Sequence, residues 1–121
     1  YNNVFKSHIS VGIDVTTKCQ MKADICRQKF TGSVLEASAK MAETWFKHAD
    51  GITFHDPLTA AIIFEPDICK YETGSVEIEI MDKENMGMTC WSAQSEDKRH
   101  TVAVDVDPER FFEHYFEIAG A

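Results

Sequence analysis

The tripeptide His55-Asp56-Pro57 has the clearest potential for chemistry in this sequence. Proline suits the first position of a helix and a preceding aspartate is a common N-cap, so the pattern predicts a helix that starts here. An imidazole and a carboxylate would then lie together at the start of that helix. Asp56 could bind a hard cation such as Ca²⁺ through oxygen, and His55 could donate a proton or a hydrogen bond. The simpler interpretation is that Asp56 only caps the helix and that His55 is a boundary residue.

A zinc site is the first alternative for this region. It would combine His48 and His55 with Asp50 and Asp56. The two histidines are separated by a glycine-containing loop, and their spacing matches no compact zinc motif. Unrelated surface groups therefore explain these four residues better. The sequence also contains no glycine-rich phosphate loop and no GxSxG motif.

Two other pairs of residues have a structural and a functional interpretation. Trp45 and Phe46 precede the His55 loop and could form an aromatic platform for a planar ligand, although apolar residues at helical spacing more often belong to a core. Cys19 and Cys26 could share one face of a helix, but buried small side chains are the expected role of such cysteines. Neither pair identifies a site by itself.

The segments around the motif alternate between strand and helix patterns. A β-branched alternating stretch predicts a strand over residues 8–15, and a helical stretch follows over about 21–30. Ser33 and Glu36 form a capping-box pattern that predicts a helix from Ser33 to about His48. An apolar stretch over residues 58–64 predicts a deeply buried helix.

Period-two patterns follow in the second half of the chain. They predict strands over residues 76–80, 88–91 and 102–106, the first of them with Glu77 and Glu79 on a wet face. Asp107-Pro108 predicts the start of a last helix, whose inner face would carry Phe111, Phe112, Tyr115, Phe116 and Ile118. The order of elements indicates a mixed α/β chain with too few early strands to form a sheet alone.

Length and composition restrict the possible functions of the chain. Its 121 residues suit one domain or part of one, and its net charge of −8 disfavours binding to nucleic acid or to anionic membranes. The longest apolar run, residues 60–64, is too short to span a bilayer. The four cysteines form no CxxC pair and no signal peptide is evident, so we expect reduced thiols and a cytoplasmic location. The first residue is Tyr1 rather than Met, which suggests that translation began upstream.

The order of several motifs resembles that of a known family over essentially the whole chain. The motifs are Val11-Gly12-Ile13-Asp14-Val15-Thr16, His55-Asp56-Pro57-Leu58-Thr59-Ala60-Ala61, Pro66-Asp67, Val76-Glu77-Ile78-Glu79 and Asp107-Pro108-Glu109-Arg110-Phe111-Phe112. In this order they resemble the C-terminal part of the inosine/uridine-preferring nucleoside hydrolases. The resemblance implies an α/β fold: the C-terminal part of a mixed, mostly parallel sheet flanked by helices, with a small antiparallel meander near the C-terminus. Residues 1–121 would then form the C-terminal segment of one domain.

The resemblance also implies an activity and the residues that carry it. Such enzymes cleave the N-glycosidic bond of a ribonucleoside in nucleoside salvage, and Ca²⁺ binds the ribose hydroxyls and the attacking water. Asp56 matches a Ca²⁺ ligand of the family, and His55 matches the catalytic histidine near the leaving base. Where the family has a tyrosine or similar residue before His-Asp-Pro, this chain has Trp45, Phe46 and His48, which become candidates for substrate binding.

The family's aspartate-rich N-terminal motif is absent from these 121 residues. One aspartate cannot supply the six to eight oxygen ligands that Ca²⁺ takes, so we expect the chain alone to be inactive and to need the remainder of a longer parent chain. That parent protein is expected to be a homo-oligomer. Two alternatives remain: a non-catalytic module that keeps the fold for interaction or packing, and an independent small α/β domain that binds zinc.

Overall fold

A computed structural model describes residues 8–96 and 98–120, so Tyr1 and the prediction attached to it lie outside the described residues. The strands in this part are β1 (Ile9–Val11), β2 (Gln20–Lys22), β3 (Gly51–Thr53), β4 (Cys69–Ile78), β5 (Thr89–Ser92) and β6 (His100–Val106). The α-helices are α1 (Ile13–Thr16), α2 (Ala23–Lys29), α3 (Gly32–Trp45), α4 (His55–Ala61) and α5 (Pro108–Ala119). A 3-10 turn, Pro66–Ile68, connects α4 to β4.

The main sheet of the described residues is mixed and has the strand order β1-β6-β4-β5. Strand β1 is parallel to β6, with Ile9 opposite Thr101 and Val11 opposite Ala103. Strand β4 is antiparallel to both β6 and β5, so it is the central strand of the antiparallel part. A separate antiparallel pair joins β2 to β3. The mixed α/β architecture with a small antiparallel sheet confirms the fold class predicted from the sequence.

The core lies between the sheet and the helices and is rich in aromatic residues. Phe111 of α5 is fully buried, and its ring centroid lies 5.9 Å from that of Phe54. Phe54 also packs edge-on against Phe112 and Tyr115, at 5.2 and 5.3 Å. Such edge-to-face pairs add to the free energy of burying apolar surface. No helix within the described residues is both long and apolar enough to cross a membrane.

Helix α5 begins as the sequence predicts. The Asp107 side chain accepts a hydrogen bond from the backbone amide of Arg110 at 3.1 Å, with Pro108 at the start of the helix. An aspartate N-cap satisfies one of the amides that the first helical turn leaves without a partner. The strands predicted over 88–91 and 102–106 also form, as β5 and β6. Ile118 of the predicted inner face, however, is largely exposed.

The prediction of a strand over residues 8–15 is only partly correct. Strand β1 ends at Val11, and Gly12 is the N-cap of helix α1 in an extended conformation. The Gly12 carbonyl accepts hydrogen bonds from the backbone amides of Val15 and Thr16. The short strands β2 and β3 were not expected, because three-residue strands carry too little periodicity to detect. They pair over Gln20 to Lys22 and form a ribbon immediately before α4.

The predicted capping box does not form. Helix α3 begins one residue earlier, at Gly32, and Thr31 is its N-cap without a side-chain hydrogen bond. Glu36 instead pairs with Lys40 one turn later, at 2.8 Å. Gly32 adopts a positive φ of 85°, which permits the turn between α2 and α3 because glycine has no Cβ.

The start and the burial of α4 also differ from expectation. The helix begins at His55 with Phe54 as N-cap, so Asp56 does not cap it. Leu58 is fully buried, but Ile63 and Phe64 are each 75% exposed, in the turn that follows the helix. A helix predicted to be buried on all sides is therefore buried on one side only. The strand predicted over residues 76–80 is the last part of β4, which ends at Ile78. Ile78 and Ile80, which the prediction placed on its dry face, are both exposed.

An ion-pair network joins three parts of the fold and gives a pH-dependent prediction. Asp105 of β6 accepts hydrogen bonds from Lys18 at 2.9 Å and from Lys70 of β4 at 3.3 Å. The hydrogen bond from Lys18 is the main cause that lowers the pKa of Asp105 from 3.8 to about 2. Because the folded pKa is below the unfolded value, this stabilisation is present above about pH 4 and is lost as the pH falls through about 2.

We therefore expect Asp105→Asn to unfold at a slightly lower temperature than the wild type at pH 7, since exposed ion pairs contribute modestly. The difference should shrink as the pH falls from 4 to 2. Thermal unfolding followed by circular dichroism measures it, with Glu72→Gln, an exposed carboxylate on β4, as the matched control. If the difference in unfolding temperature between Asp105→Asn and wild type stays constant down to pH 2, the ion pairs of Asp105 do not provide this stabilisation.

Candidate active site

The candidate site is a shallow, open cleft of about 260 Å³ where helices α1 and α4 meet. Its lining residues come from the end of β1, from α1 and from the outer side of α4: Val11, Ile13, Thr16, His55, Asp56 and Thr59. Helix α1 follows the carboxyl end of β1, and in open α/β sheets ligands bind beyond the carboxyl ends of strands. His55 and Asp56 therefore lie on one cleft, at a place in the fold that suits ligand binding.

The ribbon of β2 and β3 fixes where His55 lies. The backbone amide of Phe54 donates a hydrogen bond to the carbonyl of Cys19 at 2.9 Å, which extends the ribbon by one residue. The Phe54 side chain is 2% exposed and packs in the aromatic core. Since Phe54 is anchored inward and Leu58 is fully buried, the first turn of α4 has a fixed orientation, and the exposed His55 and Asp56 lie on its outer side.

Thr16 is part of the site and was not identified as a site residue from the sequence. Its Oγ1 lies 2.7 Å from Nδ1 of His55, although the two residues are 39 positions apart. Thr16 is 3% exposed and sits in the last turn of α1. The sequence did draw attention to Thr16, because it is the last residue of the motif Val11 to Thr16. Its contact with His55, however, joins two distant segments and follows only from the fold.

The Asp56 carboxylate is exposed on the first turn of α4 and makes no capping hydrogen bond. The simpler interpretation, in which Asp56 serves as the helix cap, is therefore wrong. As a hard oxygen donor, its carboxylate suits one coordination position of Ca²⁺. No group of three or more His, Cys, Asp or Glu side chains that could hold a metal ion occurs within residues 8–96 and 98–120. These residues thus fit one ligand of a metal site but do not form such a site.

The other predicted substrate contacts lie in different surroundings. The Trp45 indole donates a hydrogen bond to the carbonyl of Gly51 at 2.9 Å, and Arg27 lies over the Phe46 ring at 5.0 Å. Phe46 lines a separate cavity of about 210 Å³ between α2 and α3. His48 is exposed in the turn after α3. None of the three lines the cleft of His55 and Asp56 within the described residues.

The cysteines do not contribute a nucleophile to the cleft. All four are free thiols, and Cys19 and Cys26 are fully buried in the core. Burial raises the pKa of Cys19 to about 11 and also raises the pKa of Cys26. Because the thiolate is the reactive form, both thiols are inert near neutral pH. This agrees with the prediction that they serve as small buried side chains.

Comparison with solved structures finds the same fold in three nucleoside hydrolases. A plant nucleoside hydrolase matches with a TM-score of 0.75 at 23% identity, over 92% of this chain and 40% of the other. A purine-preferring ribonucleoside hydrolase from Gardnerella vaginalis matches at 0.71 and 22% identity, over 94% and 40%. An inosine-guanosine nucleoside hydrolase matches at 0.79 and 16% identity, over 93% and 38%. The chain thus spans about two fifths of the length of each, and these likenesses show the fold.

Sequence comparison gives the family. A search of curated proteins finds no match to the chain. The family profile of the inosine-uridine preferring nucleoside hydrolases, in contrast, matches residues 1–113, which include the cleft and the start of α5. The match covers nearly the whole sequence and agrees with the fold. The chain therefore belongs to the inosine-uridine preferring nucleoside hydrolase family.

Proposed function

We propose that the chain is the C-terminal segment of a ribonucleoside hydrolase, which cleaves the N-glycosidic bond to release base and ribose. The observation that carries this proposal is that His55 and Asp56, adjacent at the family's His-Asp-Pro motif, lie together on one open cleft. Family membership supports a hydrolase. Two of the similar structures are named as hydrolases of purine ribonucleosides and of inosine and guanosine, which supports a nucleoside substrate.

Two observations support the place of this segment in a longer domain. The chain covers about 40% of the similar structures, so most of their fold has no counterpart in these residues. An open groove of about 490 Å³ also runs along the main sheet, and its apolar lining includes Val76, Trp91, Val102 and Val104. Apolar sheet faces are normally covered, and we propose that the remainder of the parent chain covers this one.

We propose that Asp56 is one ligand of a Ca²⁺ ion whose other ligands lie outside the described residues. The support is the exposed carboxylate on the cleft, which no capping bond occupies, and the preference of Ca²⁺ for oxygen ligands. When bound, such an ion would lower the pKa of a coordinated water. The role of Asp56 itself is to place negative charge on the cleft that His55 also lines.

We propose that His55 contacts the leaving base. As the bond between the ribose carbon and the base nitrogen breaks, the electron pair moves onto the base and the sugar becomes oxocarbenium-like. A hydrogen bond or proton from the imidazole to the base stabilises that charge, and His55 is exposed on the cleft for this contact. Base contacts by Trp45, Phe46 and His48 remain a prediction, as do homo-oligomerisation of the complete protein and its cytoplasmic location.

The test of this function compares the 121-residue chain with the complete protein. We expect the complete protein to release base from inosine or uridine, measured as free base by chromatography, and the chain alone to release none. The reason is that the described part of the chain places one candidate metal ligand, Asp56, on the cleft and contains no group of three or more such side chains. Release of base by the chain alone would refute the proposed division of the site. A folded complete protein without turnover on any ribonucleoside would instead favour the non-catalytic module.

A further inference from the structure

The hydroxyl of Thr16 is a buried polar group aimed at the candidate catalytic histidine. Its Oγ1 lies 2.7 Å from Nδ1 of His55 and 3.4 Å from the carbonyl oxygen of Ile13. Helix α1 holds this hydroxyl in place, since the Thr16 amide donates to the carbonyl of Gly12 at 3.0 Å and the residue is 3% exposed. A β-branched side chain in a helix has few rotamers, which further restricts the position of the hydroxyl.

A threonine hydroxyl has one proton, so it can donate to only one of these two acceptors. The contact with Nδ1 has the ordinary length of a strong hydrogen bond, whereas the contact with the Ile13 carbonyl is long. The direction of the Thr16–His55 hydrogen bond depends on the tautomer of the imidazole. We assign the hydroxyl proton to Nδ1, because donation from an Nδ1–H group would leave the hydroxyl only the long contact with the Ile13 carbonyl. When Nδ1 accepts, a neutral imidazole carries its own proton on Nε2, at the opposite edge of the ring.

We propose that Thr16 is a positioning residue that holds His55 in one orientation and in the Nε2–H tautomer. This inference rests on the proposed function of His55 and deepens it. His55 is exposed, and its side chain has no other hydrogen bond among the described residues, so the Thr16 hydroxyl is the contact that fixes the ring. A ring held in this way presents an N–H donor to the leaving base without first having to reorient.

The first arm of the test reads the tautomer directly. The complete protein is labelled with ¹⁵N-histidine, and long-range ¹H–¹⁵N correlation at about pH 8.5, well above the ordinary histidine pKa of about 6.5, distinguishes the two neutral tautomers. Loss of one signal set in His55→Gln assigns His55. We expect the wild type to show predominantly the Nε2–H form. A predominant Nδ1–H form in the wild type would overturn the inference, whatever the variants do.

The second arm compares two substitutions of Thr16 with a matched control. Thr16→Val keeps the shape and removes the hydroxyl, so it should give a mixture of tautomers and lower kcat for inosine on the order of tenfold. Thr16→Ser keeps the hydroxyl and loses a buried methyl group, so it should retain the tautomer and most of kcat despite lower stability. Thr17→Val is the control, since Thr17 is the neighbouring exposed threonine and is absent from the cleft lining.

Which of the two Thr16 variants loses more turnover distinguishes a positioning role from a structural one. If Thr16 only filled space, Thr16→Ser would be the more damaging change and Thr16→Val would be nearly neutral. That order, or an unchanged tautomer in Thr16→Val, would overturn the inference. Failure of the proposed function gives a different result: a wild type without turnover, whose Nε2–H form is lost in Thr16→Val, would still support the role of Thr16 toward His55. If Thr16→Val does not fold, the wild-type tautomer and Thr16→Ser decide.

Discussion

Replacing Asp56 by alanine in the complete protein is expected to remove calcium binding and nucleoside turnover together. Among the described residues, Asp56 provides the acidic side chain that lines the cleft. It is exposed on the first turn of α4, whose backbone the ribbon β2–β3 and the buried Leu58 hold in place. The substitution should therefore leave the fold intact. We expect turnover of inosine to fall on the order of 10³-fold, because a preorganised charge at the reacting centre is lost.

Isothermal titration with CaCl₂ and assay of base release measure the two effects on the same sample. Asp50→Ala provides the matched control, because Asp50 is an exposed aspartate immediately before β3 that does not line the cleft. It should bind Ca²⁺ and turn over substrate like the wild type. An unchanged calcium affinity in Asp56→Ala would show that Asp56 is not a ligand.

Replacing His55 by alanine is expected to lower turnover while sparing the metal. Removing a positioned acid or hydrogen-bond donor typically costs on the order of 10² to 10⁴-fold in rate. His55 is exposed and its side chain bonds only to Thr16 among the described residues, so stability should change little. Calcium affinity should remain at the wild-type value, which distinguishes His55→Ala from Asp56→Ala.

The nature of the leaving group sharpens this prediction. A riboside whose leaving group departs as a stable anion needs little help from a proton donor, so His55→Ala should lose far less activity on it than on inosine. His114→Ala serves as a control, since His114 lies on α5 and does not line the cleft. Equal losses on both substrates would contradict a role for His55 at the leaving base.

The parts of the fold that were predicted correctly have strong local patterns. Asp107-Pro108 starts α5 because a side-chain cap and a fixed proline φ act within one turn, whatever the rest of the chain does. Strands β2 and β3 could not be predicted, because three residues contain too little periodicity and the two strands stabilise each other across a long separation. Ile63 and Phe64 were predicted to be buried but are exposed. An apolar run indicates that side chains tend to be buried, but it does not show which surface covers them.

The candidate site was predictable to a similar extent. The adjacent pair His55 and Asp56 was found because both residues belong to one short motif, and the structure places them on one cleft. The predicted start of α4 was wrong by two positions, because the packing of Phe54 into the aromatic core determines where this helix begins. Thr16 was missed as a partner because its hydrogen bond to His55 depends on how α1 and α4 pack.

The most direct test of the central claim is a crystal structure of the complete protein grown with Ca²⁺ and ribose. We predict a calcium ion with an Asp56 carboxylate oxygen at about 2.3–2.6 Å, the usual range for this ion, and a sugar in the cleft beside His55. An ion bound elsewhere, with the Asp56 carboxylate left in solvent, would contradict the account.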